Sequence, residues 1–495
     1  MKHIIQRLQE NNTSLLNYII TFIAIIALRT FLELFSDNTP LFLVRVLHYT
    51  SSYIVLMLGL LILFSYATRE SIERTARVIL PGFAILIIVP LIDLLLSKGA
   101  GINMTYLLPE YHDLFTSFIT FFGEYPGMGA TPGIRIEVGL VLLGSLYYLY
   151  SKTGHLLKSI GYVFLEYCWI FAWASTPFAL KGLNKLFNLP TATNDIDFIK
   201  FFIILSFILT ILITSMTHRN YLVAILKDLR YLSIIHYLLF FILGIVLARD
   251  GLQIYTEDNL LDFLLVPLSL VFGIIFSIIT NNREDYEIDR ITNSKRPHVK
   301  GDIPPHTYQA IGWLSLAASL LIAAAVSPKI VFLIAVFIGN YYLYSMPPIR
   351  FKRVPFLSKS VIGINSIILM IIGFIIVRLS MREFPAEIIP IVVLMVTSAS
   401  NFIDIKDYKG DKKAGIRTIP TIFGLRKGKL IIGTLFFFSA LMLNLLIKER
   451  LILIGSIILG SFVFYLINKK RYNEKMVYLT YELAALGLII FLLIS

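Results

Sequence analysis

Two groups of polar side chains follow long apolar stretches of this chain, and both have helical spacing. The first group lies in the segment TNNREDYEIDR and contains Asn281, Asp285 and Asp289 at intervals of four residues. Because an α-helix has 3.6 residues per turn, this spacing places the three side chains on one face. Their oxygen atoms predict a site for Mg²⁺, a hard cation that prefers oxygen ligands. The alternative is an ordinary solvated helix end.

The second group lies in NFIDIKDYKGD and contains Asp404, Asp407 and Asp411, again on one helical face. Carboxylates beside membrane-length apolar runs are candidates for function because an uncompensated charge there is costly. Two such faces across a helical bundle could bind two metal ions around a diphosphate and neutralise the charge that develops on the leaving group. A charged loop with balanced salt bridges is the alternative for this group alone.

Basic residues follow the first acidic group in the segment DRITNSKRPHVKGDIPP. They are Arg290, Lys295, Arg296 and Lys300. Prolines and a glycine in the same segment predict an ordered, turn-rich loop that ends the helix. Such a loop could bind metal through its acids and phosphate through its bases. Each basic residue could instead be one of the positive charges that flank membrane helices on the cytoplasmic side.

The composition indicates an all-α membrane protein that crosses the bilayer many times. The chain has 495 residues, of which 57% are hydrophobic and 15% are charged, whereas soluble proteins carry roughly 25% charged residues. Apolar runs of the length that crosses a bilayer recur throughout. The low charged fraction and these apolar runs exclude a soluble fold. The single cysteine, Cys168, excludes a disulfide within one chain.

The pattern predicts about fifteen membrane helices in two domains. Residues 1–217 form a six-helix domain and residues 218–495 a nine-helix domain, divided at the basic segment THRNYLVAILKDLR. The predicted helices of the first domain are 15–35, 44–67, 76–97, 134–151, 156–179 and 197–216. Those of the second are 231–248, 260–280, 309–326, 329–346, 360–377, 386–403, 429–447, 451–468 and 476–494.

The net charge of +13 could suggest a nucleic-acid partner, but the distribution of basic residues argues against one. Lysine and arginine concentrate in alternate loops, which is the pattern of cytoplasmic loops. This bias predicts a cytoplasmic N-terminus and places both acidic groups on the cytoplasmic side.

The motifs of the second domain resemble those of the UbiA superfamily of intramembrane prenyltransferases over about residues 220–495. Asn281, Asp285 and Asp289 match the NxxxDxxxD motif, and Asp407 and Asp411 match the DxxxD motif. Between them, YYLYSMPPIRFKR is similar to the YSxPPxRxK signature, and KRPHVKG and RTIPTIFG are similar to two further family segments. Asn282 stands where many members have Asp.

The resemblance implies Mg²⁺-dependent transfer of an isoprenyl group from its diphosphate to an acceptor. Asn281, Asp285, Asp289, Asp407 and Asp411 would bind the metal. Arg290, Lys295, Arg296 and Lys352 would bind the diphosphate. Tyr344, Lys352 and Asp404 are the catalytic candidates, the tyrosine ring stabilising an allylic cation. Tyr344 could equally be an interfacial belt residue.

Three questions stay open at the level of sequence. The acceptor could be a quinone or aromatic precursor or a glycerol-phosphate ether lipid. A transporter or flippase could use the acidic groups to bind cations or phosphate without chemistry. Residues 1–217 resemble no known family, although Arg29, Asp93 and Glu166 lie within apolar runs. Ionisable residues within a membrane are candidates for function. The simpler interpretation is that these three residues form pairs with other polar groups inside the helical bundle.

Overall fold

The computed structural model describes residues 2–10, 13–36, 43–100, 102, 106–109, 113–122, 131–186, 194–249, 260–292, 294, 296–354, 357–413 and 415–494. Every regular element in these ranges is helical, which confirms the predicted all-α class. Within the same ranges, fourteen spans are long and apolar enough to cross a membrane. The predicted helix 156–179 is a pair, Leu156–Ala174 and Thr176–Leu186, bent by 58°. The prediction of about fifteen membrane helices is thus confirmed.

The chain forms two compact units, Met1–Arg219 and Asn220–Ser495. The predicted boundary, between residues 217 and 218, lies two residues before the observed one. The helices of the first unit are α1 (Lys2–Glu10), α2 (Leu15–Ser36), α3 (Leu43–Thr68), α4 (Ile72–Gly82), α5 (Ile88–Leu96), α6 (Leu114–Ile119), α7 (Pro132–Thr153), α8 (Leu156–Ala174), α9 (Thr176–Leu186) and α10 (Asp195–Thr217). A 3₁₀ turn, Phe83–Ile87, joins α4 to α5.

The ends of α7 show how local sequence determines a helix in the first unit. Pro132 occupies the first turn, where no backbone donor is needed, and the Thr131 hydroxyl accepts a hydrogen bond from the Ile134 amide at 3.2 Å. The helix ends at Gly154, whose φ of 69° lies in the left-handed region that favours glycine. These signals fix the position of Glu137 on α7.

The helix α11 (Arg219–Asp228) begins at the boundary and leads into the second unit. The helices that follow are α12 (Tyr231–Ala248), α13 (Asp262–Glu284), α14 (Tyr286–Thr292), α15 (Pro297–Lys300), α16 (Pro305–Val326), α17 (Pro328–Ser345), α18 (Leu357–Arg378), α19 (Ile388–Ala399), α20 (Asp404–Lys413), α21 (Ile419–Phe423), α22 (Leu425–Leu446), α23 (Arg450–Asn468) and α24 (Glu474–Ile494). Further 3₁₀ turns are Phe351–Arg353, Met381–Glu383 and Ser400–Ile403. Within the described residues, this unit contains nine of the membrane-length spans.

The helix α18 lies at the centre of the second unit. Every residue from Asn365 to Ile376 is buried, as expected of a helix that is surrounded by others. It packs against α12, α17 and α19. Because α17 ends beside the segment that carries Lys352 and α19 ends beside the second acidic motif, α18 sets the distance between those segments.

Two glycines allow α12 and α18 to approach closely. A Cβ atom added to Gly244 would lie 1.9 Å from the Met370 carbonyl oxygen, and one added to Gly373 would lie 2.0 Å from the Phe241 carbonyl oxygen. Small residues at helix interfaces are the means by which membrane helices bring their backbones together. No larger side chain fits at either position without separating the helices.

We expect Gly244→Leu to destabilise the second unit because the new side chain would meet the backbone of α18. Overpacking costs roughly 1–3 kcal/mol in soluble cores, and contact with backbone should place this variant at or above the upper end. Gly339→Leu on α17 is the matched control, since a Cβ there meets no atom within 4 Å. Thermal unfolding of the purified variants measures the difference. Equal unfolding temperatures for the two variants would contradict the close approach.

Candidate active site

The first acidic motif lies where α13 ends and α14 begins. Asp285 separates the two helices, but the helical hydrogen bonds continue across it. The Asp285 amide donates to the Asn281 carbonyl at 2.9 Å, and the Asp289 amide donates to the Asp285 carbonyl at 2.8 Å. The predicted single stripe is therefore preserved across a change of helix. The side-chain oxygen of Asn281 accepts a hydrogen bond from the Ser345 hydroxyl at 2.9 Å, which ties the motif to the end of α17.

The loop after α17 brings two cations to Asp285. The Lys352 ammonium donates to both carboxylate oxygens of Asp285, at 2.6 and 2.7 Å. An Arg350 guanidinium nitrogen lies 3.6 Å from Asp285 and 3.1 Å from Glu284. The predicted phosphate-binding residue Lys352 thus lies directly beside the predicted metal ligand Asp285.

Burial lowers the pKa of Lys352 below its ordinary value because the ammonium ion loses hydration. The Asp285 carboxylate favours the charged form and offsets only part of this effect. A cation that has already lost much of its hydration interacts strongly with an incoming anion, because little water needs to be displaced. The loop therefore presents Lys352 in a state suited to bind phosphate oxygens.

Asp289 forms a second carboxylate–cation pair. An Arg296 guanidinium nitrogen donates to its carboxylate at 2.6 Å, and the His298 Nε2 atom lies 3.3 Å away. Arg296 precedes α15, a single helical turn that ends at Gly301 with a φ of 77°. The predicted turn-rich loop thus folds back over the motif and returns Arg296 to it.

A buried network holds Arg296 in position. The same guanidinium nitrogen donates to the side-chain oxygen of Asn282 at 2.9 Å. The Asn282 amide nitrogen donates to the Asp228 carboxylate at 2.8 Å and to the Tyr308 hydroxyl oxygen at 3.0 Å. Tyr308 in turn donates to Asp228 at 2.5 Å. The Asn282 side chain therefore both donates and accepts hydrogen bonds in this network. Many members of the resembled family have Asp at this position.

The second acidic motif begins with a buried ion pair. The Lys359 ammonium, at the start of α18, donates to Asp404 at 2.5 Å, and both side chains are buried. Asp407 is exposed, and Asp411 is partly buried. Asp411 lies within electrostatic range of Asp404, Asp407 and Lys359, so the three carboxylates of this motif form one negative region.

Tyr344 lies within electrostatic range of both motifs. The charged groups that act on it include Lys359 and Asp404 of the second motif region and Asp285 of the first. Its ring meets the Tyr341 ring edge-on at a centroid distance of 6.4 Å. The tyrosine is therefore near both acidic groups and part of an aromatic cluster, which is the position that stabilisation of a cation by its ring requires.

One predicted phosphate ligand, Arg290, is not brought into this cluster. Arg290 is exposed and pairs with Glu287 at 3.3 Å, while its guanidinium group lies 6.0 Å from the centre of the Tyr286 ring. Lys295 lies outside the described residues. Their assignment to the diphosphate stays a prediction.

Several residues of this site have no signal in the motifs. They are Asp228, Tyr308 and Lys359, whereas Arg350 is the arginine of the YSxPPxRxK signature. Lys359 could have been found as an ionisable residue at the start of a membrane-length apolar run. Asp228 offers no comparable signal because it lies in a basic segment whose sequence is typical of a linker. Only the packing of α11 determines which residues Asp228 contacts.

The donor atoms of both motifs fit Mg²⁺, although no group of three or more His, Cys, Asp or Glu residues within the described ranges converges on one point. Mg²⁺ in phosphate-transfer sites is held by one or two carboxylates together with phosphate oxygens and water. Each motif supplies carboxylates in that number, and every proposed ligand atom is an oxygen. Asn281, Asp285 and Asp289 on one side and Asp407 and Asp411 on the other are the residues that would hold the metal.

Comparison with known proteins places this site in a family. The sequence profile of the UbiA prenyltransferase family matches residues 234–485. The chain belongs to this family. The match lies within the second unit and includes both acidic motifs, Tyr344, Lys352 and Lys359, which confirms the predicted membership.

The similar sequences include named UbiA-type enzymes. Digeranylgeranylglyceryl phosphate synthase of Pyrococcus horikoshii is 28% identical over 192 residues, which cover 38% of this chain and 65% of that protein. The enzyme of the same name from Thermococcus sibiricus is 29% identical over 207 residues, covering 41% and 70%. Homogentisate phytyltransferase of Synechocystis sp. is 27% identical over 177 residues, covering 34% and 58%. The chain thus aligns with between 58% and 70% of the length of these relatives.

Solved structures similar to this chain include a UbiA homolog from Archaeoglobus fulgidus. Its complex with DMAPP and Mg²⁺ has a TM-score of 0.44 and 21% sequence identity, and covers 54% of this chain and 97% of that one. The complex with GPP and Mg²⁺ has a TM-score of 0.43 and 22% identity, and covers 54% and 98%.

The Asn282 network generates a test of how Arg296 is held. We expect Asn282→Asp to destabilise the protein by about 1–3 kcal/mol, because a carboxylate would replace the amide donor that faces Asp228 and leave buried groups unsatisfied. The double variant with Asp228→Asn should recover much of this loss, since the new amide at position 228 can donate to the new carboxylate. Thermal unfolding measures both variants. A double variant no more stable than Asn282→Asp would show that the two side chains are not coupled.

Proposed function

We propose that this chain transfers an isoprenyl group from a prenyl diphosphate to a lipid-precursor acceptor within the membrane, with Mg²⁺ as cofactor. The observation that carries the proposal is the arrangement around Tyr344. Asp285 of the first motif and Asp404 of the second both lie within electrostatic range of this tyrosine, and they pair with Lys352 and Lys359. Membership of the UbiA prenyltransferase family supports the same reaction.

The proposed reaction breaks the bond between C1 of the prenyl group and the diphosphate oxygen. Bound Mg²⁺ would neutralise negative charge on the diphosphate oxygens. Lys352 and Arg296 bind the departing anion. Each cation gives up its contact with a carboxylate and contacts a phosphate oxygen instead. The diphosphate takes the bonding electrons, and the allylic cation left behind faces the Tyr344 ring. The apolar helices around the prenyl chain exclude water that would otherwise capture this cation.

The acceptor then forms a new bond to C1 through its own electron pair and releases a proton. We assign the uptake of this proton to Asp404, whose carboxylate is oriented by Lys359 at 2.5 Å. This step completes the reaction without any oxidant or reductant. Asp404 would thus be a general base at a fixed position.

The names of the similar proteins favour a glycerol-phosphate ether lipid as the acceptor. The aligned proteins of Pyrococcus horikoshii and Thermococcus sibiricus are both named digeranylgeranylglyceryl phosphate synthase. An aromatic or quinone precursor is the second candidate, supported by the homogentisate phytyltransferase of Synechocystis sp.. We further propose that the N-terminus and both acidic motifs face the cytoplasm, on the evidence of the basic residues in alternate loops.

A transporter or flippase of a lipid or polyanion is the competing function. It would use the same carboxylates and cations to bind a substrate but would break no bond. Release of inorganic diphosphate that depends on both Mg²⁺ and acceptor separates the two, because a transporter consumes no prenyl diphosphate.

We expect Asp285→Asn combined with Asp407→Asn to abolish prenyl transfer, because each motif would lose a charged metal ligand. A fall of at least about a hundredfold is the expected scale for removing charge stabilisation from a transition state. Purified protein is given labelled prenyl diphosphate and Mg²⁺, with a glycerol-phosphate ether lipid precursor or an aromatic acceptor in parallel. Asp302→Asn, at an exposed carboxylate of the neighbouring loop, is the control. Transfer that survives in the double variant would contradict the proposed reaction.

Lys352 and Arg353 provide a matched pair of adjacent cations. Lys352 pairs with Asp285 at 2.6 Å, whereas the Arg353 side chain is exposed. We expect Lys352→Met to lower kcat/KM for the prenyl diphosphate by about a hundredfold, because the leaving anion loses a desolvated cation. Arg353→Met should leave kcat/KM within about twofold, since exposed charges contribute little. Equal effects of the two substitutions in steady-state kinetics would refute the assignment of Lys352.

A further inference from the structure

The first unit contains a cavity of about 570 Å³. Its volume falls within the range of roughly 300–1,000 Å³ that is usual for small-molecule sites. The lining is mainly apolar and includes Leu56, Leu60, Phe64, Val138 and Ile170. All of its lining residues lie between positions 29 and 198, so the cavity is separate in sequence from the motifs of the proposed active site.

Buried ionisable groups line one part of this cavity. Arg29 and Glu33 on α2 form an ion pair at 2.5 Å, with both side chains buried. Glu137 on α7 is also buried. The Arg29 guanidinium lies within electrostatic range of it, but no hydrogen-bond donor among the described residues reaches its carboxylate. Glu166 on α8 is fully buried and accepts a hydrogen bond from Ser145 at 2.7 Å through Oε1. Its Oε2 atom has no hydrogen-bond partner among the described residues.

Acidic groups outnumber basic groups around the cavity. The carboxylates are Glu33, Glu137, Glu166 and Asp195. The basic groups are Arg29, Arg45 and His48, whose ring pairs with Asp195 at 2.8 Å. A buried carboxyl group without a partner is unfavourable, and such groups are normally satisfied by a donor. A ligand that supplied donors to Glu137 and Glu166 would remove this deficit, whereas an anionic ligand would increase it.

We propose that the cavity binds one amphipathic lipid whose head group bears hydroxyl groups and carries no negative charge. Its apolar chain would lie against the leucine and phenylalanine side chains of α3. Its hydroxyl groups would donate hydrogen bonds to Glu137 and to the unpaired oxygen of Glu166. The ligand class is therefore a long-chain alcohol-type lipid, which is chemically distinct from a prenyl diphosphate.

Tryptophan fluorescence offers a direct measurement, because Trp173 lines the cavity and the chain has only three tryptophans. In full-length protein carrying Trp169→Phe and Trp313→Phe, Trp173 is the sole emitter. The probes are a long-chain alcohol brominated on its chain and the alkyl phosphate with the same brominated chain. We expect saturable quenching by the alcohol and at least about tenfold weaker binding of the phosphate. Quenching that does not saturate, or a phosphate that binds as tightly, overturns the proposal.

Two glycines of α7 give a matched pair of cavity variants. Gly144 lines the cavity and Gly139 does not, and a Cβ atom added at either meets no atom within 4 Å. We expect Gly144→Phe to weaken alcohol binding at least about tenfold by filling the space, and Gly139→Phe to leave it unchanged. Glu137→Leu should remove the preference for alcohol over phosphate. Equal affinities for the two glycine variants, or an unchanged preference in Glu137→Leu, would show that the probe binds elsewhere.

Discussion

The pairing of carboxylates with buried or partly buried cations is the constraint on which the second unit depends. Each acidic motif lies where a membrane-length helix ends, and an unpaired charge there would be costly. The chain meets this constraint with three pairs, which are Asp285 with Lys352, Asp289 with Arg296, and Asp404 with Lys359. Breaking a buried pair by removing one partner leaves an uncompensated charge. The pairs therefore hold together the loop after α13, the loop after α17 and the start of α18.

The same pairs explain how the proposed site for a metal and a diphosphate can exist before either binds. In the free protein, the carboxylates pair with the lysine and arginine side chains. The metal ion and the diphosphate would each supply a charge that can take the place of one partner in these pairs. When the metal binds the carboxylates and the diphosphate binds the cations, each group exchanges one partner for another, and no charge is left unpaired. This exchange is consistent with the lack of a three-residue metal cluster among the described residues. It also makes Lys359 an internal counterion that the second motif needs in every state.

Two groups of buried polar side chains, one in each unit, differ in how completely they are satisfied. In the second unit, the network of Asn282, Asp228 and Tyr308 satisfies the donors and acceptors around Arg296. In the first unit, the Oε2 atom of Glu166 lacks a hydrogen-bond partner among the described residues, although the side chain is buried beside a cavity. A complete network specifies a rigid position, whereas an incomplete one beside an open space indicates a group that a ligand can satisfy. By this criterion, Asn282 and Asp228 position another side chain, whereas Glu166 is available to bind a ligand.

The amino-acid sequence by itself determined the class of the protein and the chemistry of its motifs. Apolar length and helical spacing are local properties, so the membrane helices, the division near residue 218 and the stripes of Asn281, Asp285 and Asp289 could be read directly. Only the tertiary structure decided which charges pair. Lys352 meets Asp285 across 67 positions of sequence, and Asn282 meets Asp228 across 54, because loops and helix packing bring distant segments together. The cavity in the first unit likewise arises from the packing of α2, α3, α7 and α8, and no local pattern encodes an empty space.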